Sequence, residues 1–290
     1  MRRYILQPAH RTAHVPVGPL SVLNGDLEDA GRLCIEAIDA GAGLRVATAN
    51  LDFVARARRD AVLRADLAAS GLVVADGAPV AWLARLAGGT HTQRVTGVDL
   101  VAELCRLGSE RGRLRVASYG SSPEVAAAGA RALEARYPGI EFVLQICPPF
   151  RALTAEELAN HHAAIAAARP EVVLVALGCP RQERFAAEHF DAAPGAVWIG
   201  VGGTFDFYAG IKRRAPRLLQ AVGAEWVARL AQDPGRLWRR YLLDDVPAFA
   251  AVSARVATDR LRHGPMEVSD AAALARRTPS GGAPASATGQ

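Results

Sequence analysis

The chain has 290 residues, of which 50% are hydrophobic and 6% aromatic, and carries a net charge of +5. That length fits one large domain, or one domain with an appendage, around a sizeable core. No run of 18 apolar residues and no signal-peptide pattern is present, and Cys34, Cys105, Cys147 and Cys179 are scattered without a CxxC pair, so a membrane span, disulfides and a zinc site are not expected and a cytoplasmic protein is.

Residues 1–18 read as an irregular arm, followed by a first strand over Leu20–Leu23 and a helix over Asp26–Asp39. Leu44–Ala47 reads as a strand ending in Thr48-Ala49-Asn50, then two short helices near 52–58 and 61–69. Leu72-Val73-Val74 is a strand that stops at Ala75-Asp76-Gly77, and a helix follows from Pro79 to Leu86. Thr96 is placed to cap a long helix reaching Arg111. Strands and helices then alternate from Leu114 to Ile199, about six strands from Leu44 onward, which implies βαβ units and a mostly parallel, Rossmann-like α/β sheet.

Three of these strands end alike. Leu114–Tyr119 runs into Gly120-Ser121-Ser122-Pro123, Glu171–Leu177 into Gly178-Cys179-Pro180-Arg181-Gln182-Glu183, and Ala196–Ile199 into Gly200-Val201-Gly202-Gly203. Glycine at a strand end followed by a helix start lets a ligand approach the backbone, and such loops line the nucleotide-binding edge of open α/β folds. Asp206 is the carboxylate after the last of these loops, and Arg213-Arg214 bring positive charge beside it, a combination that points to a phosphate-bearing ligand.

After Gly210 no further strand is expected. Helices are expected over 222–232, 235–243 and 247–262, broken at Pro234 and Pro247, and then a disordered tail over 266–290. Trp226, Leu230, Leu237, Trp238, Tyr241 and Leu242 form an apolar face with arginines beside it. From Lys212 to Arg262 there are eleven Lys/Arg and five Asp/Glu, a local excess of six. A basic block on a neutral body suits anionic lipid or a phosphorylated substrate, and nucleic acid is disfavoured because aromatic-interleaved RNA motifs are missing.

Asp76, at a strand end, can be a general base or a helix N-cap. Gln182 can hydrogen-bond a sugar or phosphate, whereas Glu183 reads as a simple complement to a helix dipole. A lone Arg94 is ordinarily a surface ion pair. His161-His162 is expected to face solvent, and Cys179 to fill space beside Gly178. The sequence has no DxD pair, no HExxH, no Walker A loop and no GxGxxG fingerprint, so neither metal nor cofactor is expected.

In order along the chain stand Thr48-x-Asn50, Ala75-Asp76-Gly77, Gln93-Arg94-Val95-x-Gly97-x-Asp99-Leu100, Gly178-x-Pro180-Arg181-Gln182-Glu183, Gly200-Val201-Gly202-Gly203-x-Phe205-Asp206-x-x-Ala209-Gly210, Arg214-Ala215-Pro216 and Glu225-Trp226-x-x-Arg229-Leu230. This set resembles the WecG/TagA/CpsF glycosyltransferases over about residues 19–245. The resemblance implies an inverting transferase with a UDP-sugar donor and a polyprenyl-pyrophosphate-linked acceptor, in cell-surface or exopolysaccharide synthesis. It implies a core over 19–210 and a membrane-docking appendage over 211–265, on the inner face of the cell membrane. It also implies Asp76 as base, with Thr48, Asn50 and Gln182 beside it. Gly120, Gly178, Gly202, Gly203, Asp206, Arg181 and Arg94 complete the expected donor-binding set, and Arg214, Arg229 and Arg236 are the arginines expected to close over the diphosphate. Ala75 and Arg181 stand where the family usually has Pro and Lys, and Cys147-Pro148-Pro149-Phe150 replaces a Gly-Tyr-Phe-like segment. The sugar (N-acetylmannosamine, its uronate or glucose), the acceptor and any homo-oligomer stay open. The other readings are a nucleotide-dependent oxidoreductase and a non-catalytic UDP-sugar-binding protein.

Overall fold

A computed structural model of the chain describes residues 13–216, 219, 223–232, 234–263 and 269–270. It opens with an antiparallel hairpin, β1 (Ala13–Val17) and β2 (Leu20–Leu23), turned at Gly18 with φ +58°. The end of the expected irregular arm is therefore a strand. Val15 and Val17 alternate inward and are fully buried, so the hairpin gains more from burial than a free arm would. Ala13 and His14 also pair with β9 (Ser269–Asp270), which gives the three-stranded order β2-β1-β9. The rest of the predicted tail, and residues 1–12, lie outside the described residues.

Helix α1 (Leu27–Asp39) starts in a capping box between Asp26 and Asp29. Six strands follow: β3 (Leu44–Ala49), β4 (Leu72–Ala75), β5 (Leu114–Gly120), β6 (Ile140–Ile146), β7 (Val172–Ala176) and β8 (Val197–Gly200). They make one wholly parallel sheet in the order β4-β3-β8-β7-β5-β6, the α/β architecture expected from the sequence. Between β3 and β4 run α2 (Leu51–Ala57) and α3 (Ala61–Ala68), and between β4 and β5 run α4 (Ala78–Ala87) and α5 (Gly97–Glu110), the latter capped by Thr96. Helices α6 (Pro123–Arg136), α7 (Ala155–Ala168) and α8 (Arg181–Glu188) complete the crossovers, and α9 (Thr204–Tyr208) follows β8.

The inner strands are apolar on both faces because both are covered. On one face Val46, Val116, Leu174 and Ile199 pack with Cys34 of α1, Leu104 of α5, Leu133 of α6 and Phe205 of α9. On the other, Ala47, Ala49 and Val73 pack with α2, α3 and α4, while Tyr119, Val175 and Trp198 pack with Ile165 of α7 and Phe185 of α8.

Beyond residue 210 come α10 (Glu225–Gln232), α11 (Pro234–Arg239), a π-helical segment over Arg240–Asp245 and α12 (Val246–His263). Pro247 does not break this last stretch. The π-helical turn before it runs straight into α12, so the chain stays helical through Pro247 and the wider turn accommodates the ring. Ala248, Val252 and Val256, spaced by four, bury one face of α12, and Val252 and Val256 join the cluster of α2, α4 and the β1–β2 hairpin. Among the described residues no helix is long and apolar enough to cross a membrane.

A four-residue ionic cluster ties α10 to the core. Arg94 donates to Glu225 at 2.9 Å, and Arg214 donates to both oxygens of Asp99 at 2.5 and 3.1 Å. Arg214 also lies 3.6 Å from Glu225, and Arg94 lies 3.9 Å from Asp99. The Thr96 hydroxyl donates to Asp99 at 2.7 Å. Two arginines meet two carboxylates, so the cluster is neutral. Burial alone would raise the Asp99 carboxyl, but the hydrogen bonds from Arg214 and Thr96 and the charges of Arg214 and Arg94 hold it below the ordinary carboxylate range. Its stabilising contribution is therefore present above the usual carboxylate pKa and lost as pH falls through the lowered one. The four side chains are 13–32% exposed, so solvent screening reduces the gain below that of a sealed ion pair. Arg94→Met and Glu225→Met should each lower stability by about 1–2 kcal/mol, with a coupling of about 1 kcal/mol in the double variant. Urea denaturation of the four proteins measures this, and strictly additive losses would show that the cluster does not hold α10.

Candidate active site

Strand register brings the expected residues to one edge. Ala49 pairs with Ala75, Ala47 and Val175 both pair with Gly200, and Gly120 pairs with Ala176. The C-terminal ends are therefore level, and Asp76, Asn50, Gly202, Gly178 and Gly120 follow one another across the sheet. Connections leave β7 and β5 in opposite directions, so the crevice outside their ends is a topological switch point, where open α/β sheets take ligands. Gly120 has φ +106°, and a Cβ there would lie 2.6 Å from the Ala176 carbonyl oxygen, so glycine is required at this crevice. Helices α4, α5, α6 and α8 all begin at this edge and turn their free N–H groups toward it.

Asp76 continues the ladder by one residue, its N–H donating to the Ala49 carbonyl at 2.9 Å. The N-cap of α4 is Gly77, with φ +118°, so Asp76 stands between the end of β4 and the start of the helix. The Val95 N–H donates to the Ala75 carbonyl at 2.8 Å, which sets the Arg94–Thr96 segment beside the same strand end. The Thr48 hydroxyl is buried and donates to the Gly200 carbonyl at 2.7 Å, fastening β3 to β8 one residue short of the edge. Asn50 caps α2, its side-chain oxygen accepting from the Asp52 N–H at 3.0 Å.

Gln182 does not present its amide to the outside. It is 3% exposed, its Oε1 accepts from the N–H groups of Gly178 at 3.2 Å and Gly202 at 3.0 Å, and its Nε2 donates to Glu183 Oε1 at 2.7 Å. One side chain thus joins the loops after β7 and β8. Glu183, expected as an exposed partner of a helix dipole, is instead buried, and burial pushes its carboxyl up to about 7 against the opposing hydrogen bond from Gln182. The reason is helical spacing: Gln182 and Glu183 lie four and three residues before the buried Ala186, on the face of α8 that meets the sheet.

Other expected residues have specific partners. Asp206 pairs with Lys212 at 2.6 Å, and its backbone oxygen closes the turn through the N–H groups of Ile211 and Lys212. Gly203 is exposed in the turn before α9. Arg181 is exposed at the first residue of α8 and donates to the Leu177 carbonyl at 3.0 Å. Arg94 and Arg214 belong to the ionic cluster described above. Arg229 and Arg236 stand on α10 and α11, but their side chains lie outside the described set. His161, expected to face solvent, lies with Nδ1 3.0 Å from the Tyr119 hydroxyl. Burial pushes the Cys179 thiol up, first among its causes, as a space-filling role requires. Among the described residues no three His, Cys, Asp or Glu side chains gather in a metal-holding group.

Trp226, Val227, Trp238, Leu242, Leu243 and Val246 are exposed along α10, α11 and the π segment, whereas Leu237 turns inward. Arg239 lies over the Trp238 ring and Arg240 over the Tyr241 ring, at 5.3 and 5.6 Å. Of the expected apolar face, Trp226, Trp238 and Leu242 are thus on the surface beside arginines, while Leu230 and Tyr241 are half-buried and Leu237 is buried. Asp245, also missed by the sequence reading, is buried with Arg240 at 3.5 Å, and Arg240 in turn lies 3.7 Å from Asp52 of α2. Burial raises the Asp245 carboxyl to about 6, with the Arg240 charge opposing. No local sequence pattern marks the contact of Arg240 with Asp52, which stands about 190 residues away in the chain.

The chain is also similar to known proteins over most of its length. The model of the glycosyl transferase WecG/TagA/CpsF family matches residues 15–262. The N-acetylglucosaminyldiphosphoundecaprenol N-acetyl-beta-D-mannosaminyltransferase of Bacillus subtilis (strain 168) is 31% identical over 215 residues, covering 73% of this chain and 80% of its own. The protein of the same name from Bacillus spizizenii is 30% identical over 78% of this chain and 86% of its own, and that from Staphylococcus aureus (strain MW2) is 27% identical over 71% and 78%. With its parallel sheet, its level strand ends and a match over most of its length, the chain belongs to the WecG/TagA/CpsF family of glycosyl transferases.

Proposed function

We propose that the protein transfers a hexose-type sugar from a UDP donor to a polyprenyl-pyrophosphate-linked saccharide, with Asp76 as general base. The observation that carries this is the position of Asp76 one residue beyond the end of β4, level with Asn50 and the glycine loops. Asp76 would take the proton of the acceptor hydroxyl as that oxygen attacks the anomeric carbon in line. The C1–O bond to the diphosphate breaks as the new glycosidic bond forms, and UDP leaves with the bonding pair. A single displacement inverts C1, so an α-linked donor gives a β product, the stereochemistry in the relatives' names. Those names favour N-acetylmannosamine as the sugar and an N-acetylglucosaminyl-diphospholipid as the acceptor. Family membership sets aside the oxidoreductase reading, and turnover separates an enzyme from a non-catalytic UDP-sugar binder.

The leaving diphosphate would be met by helix N-termini and arginines rather than a metal. Arg181 stands at the mouth of the switch-point crevice. Arg94 and Arg214 would serve only by exchanging Asp99 and Glu225 for phosphate oxygens. The basic, apolar surface of α10–α12 would rest on anionic lipid at the inner face of the cell membrane, where the acceptor lies.

In a UDP-release assay Asp76→Asn should keep UDP binding and lower turnover by roughly 10²–10⁴-fold; near-normal turnover would remove Asp76 as the base. The wild-type rate should persist in EDTA, and loss restored by Mg²⁺ or Mn²⁺ would show that a metal meets the diphosphate. Arg255, Arg260 and Arg262 are exposed on α12. Changing all three to Gln should weaken sedimentation with phosphatidylglycerol vesicles by about 10²-fold, at about 1 kcal/mol per charge. Transfer to a water-soluble acceptor should not change. Equal sedimentation of the two proteins would place the membrane contact elsewhere.

A further inference from the structure

The first turn of α8 holds a buried acid that the proposed mechanism does not use. Glu183 is 6% exposed, its Oε1 accepts from Gln182 Nε2 at 2.7 Å, and its Oε2 is buried without a hydrogen-bond partner. We propose that the Glu183 carboxyl is a positioning residue for glycosyl transfer: it fixes the orientation of the Gln182 amide and, through it, the Gly178 and Gly202 loops at the donor edge.

A glutamine amide has one oxygen and one NH₂ end, and the surroundings decide which way it points. Two N–H donors, from Gly178 and Gly202, converge on the Gln182 oxygen. A flipped amide would set NH₂ against both of them. The Glu183 oxygen on the opposite side accepts from the NH₂ end and leaves only one orientation without a clash of donors. The fit is close, because a Cβ on Gly200 would lie 2.5 Å from Gln182 Nε2 and 2.7 Å from Glu183 Oε1. With the Thr48 bond to the Gly200 carbonyl, this arrangement pins the end of β8 from both sides.

The pin works best with Glu183 neutral. A buried carboxylate whose side-chain partners are only the Gln182 amide and the weakly donating Cys179 thiol, with no cation in contact, carries an uncompensated charge, whereas the neutral acid still accepts at Oε1. The groups facing it are the Cys179 thiol in its own loop and Asp66 on α3, whose charge is taken up by Arg184 at 3.0 Å. Asp52 and Arg56 of α2 act on Cys179 and pair with each other at 2.9 Å. Burial raises the carboxyl to about 7, so the neutral form prevails below that pH and is lost as pH rises through it. The anion would draw water or displace the first turn of α8, and the two loops would lose their common anchor.

This assignment rests on the donor site proposed above, and UDP binding tests the two separately. Calorimetric UDP affinity of the wild-type protein should fall about 10-fold between pH 6 and 8.5, whereas Glu183→Gln, which keeps the acceptor and cannot ionise, should hold a constant affinity. Glu183→Gln should also transfer sugar within about 3-fold of wild type at pH 6, and Glu183→Leu should raise the KM for the UDP-sugar about 10-fold with a smaller change in kcat. The same pH slope in wild type and Glu183→Gln would overturn the assignment. So would an effect of Glu183→Leu on kcat alone. If Glu183→Gln does not fold, the infrared carbonyl band of a protonated buried carboxyl in wild type replaces it. That band should vanish over the pH range in which UDP affinity falls, and affinity lost without change in the band overturns the assignment. A wild-type protein that binds no UDP at any pH overturns the donor reading and this assignment with it.

Discussion

The space above Gly200 is the constraint on which the site depends. A methyl group there would strike Gln182 and Glu183, so the strand must end in glycine for α8 to seat its first turn against the sheet. Once seated, α8 places Gln182 between the loops after β7 and β8 and sets its own N-terminus at the switch point. The donor edge is thus a consequence of core packing. The loops after β7 and β8 share one buried side chain, Gln182, which accepts from an N–H of each.

Charge is handled differently on the two sides of the molecule. Arg94 and Arg214 are neutralised by Glu225 and Asp99, and the resulting cluster fastens α10 to the start of α5. On α12 the exposed arginines lie away from that cluster, and their charge is available to a surface. The same helix buries Val252 and Val256 against α2 and α4, so the basic surface is carried by an element of the core. Asp245 and Arg240 reinforce this at α2, a few residues from the Asn50 cap.

The order of elements was legible because each carries a local signal. The Thr96 cap, glycine after strand ends and unbroken apolar runs read directly as α5 and the parallel strands. The hairpin at Ala13–Val17 was missed because a five-residue strand beside two prolines carries little periodicity, and only its burial under α4 and α12 makes it regular. The break expected at Pro247 failed because a π-helical turn immediately before it lets the helical run continue through the proline.

The sequence by itself determined the α/β class, the alignment of Asp76, Asn50 and three glycine loops along one edge, and the family. Those properties follow from short-range patterns and ordered motifs. Only the tertiary structure decided what the polar side chains do. Gln182 and Glu183 turn inward because α8 packs on Gly200, and Arg94 and Arg214 meet acids because Asp99 of α5 and Glu225 of α10 come together beside them. A side chain's partner is set by distance in space, and these partners stand up to about 130 residues apart in the chain, beyond the reach of any local pattern.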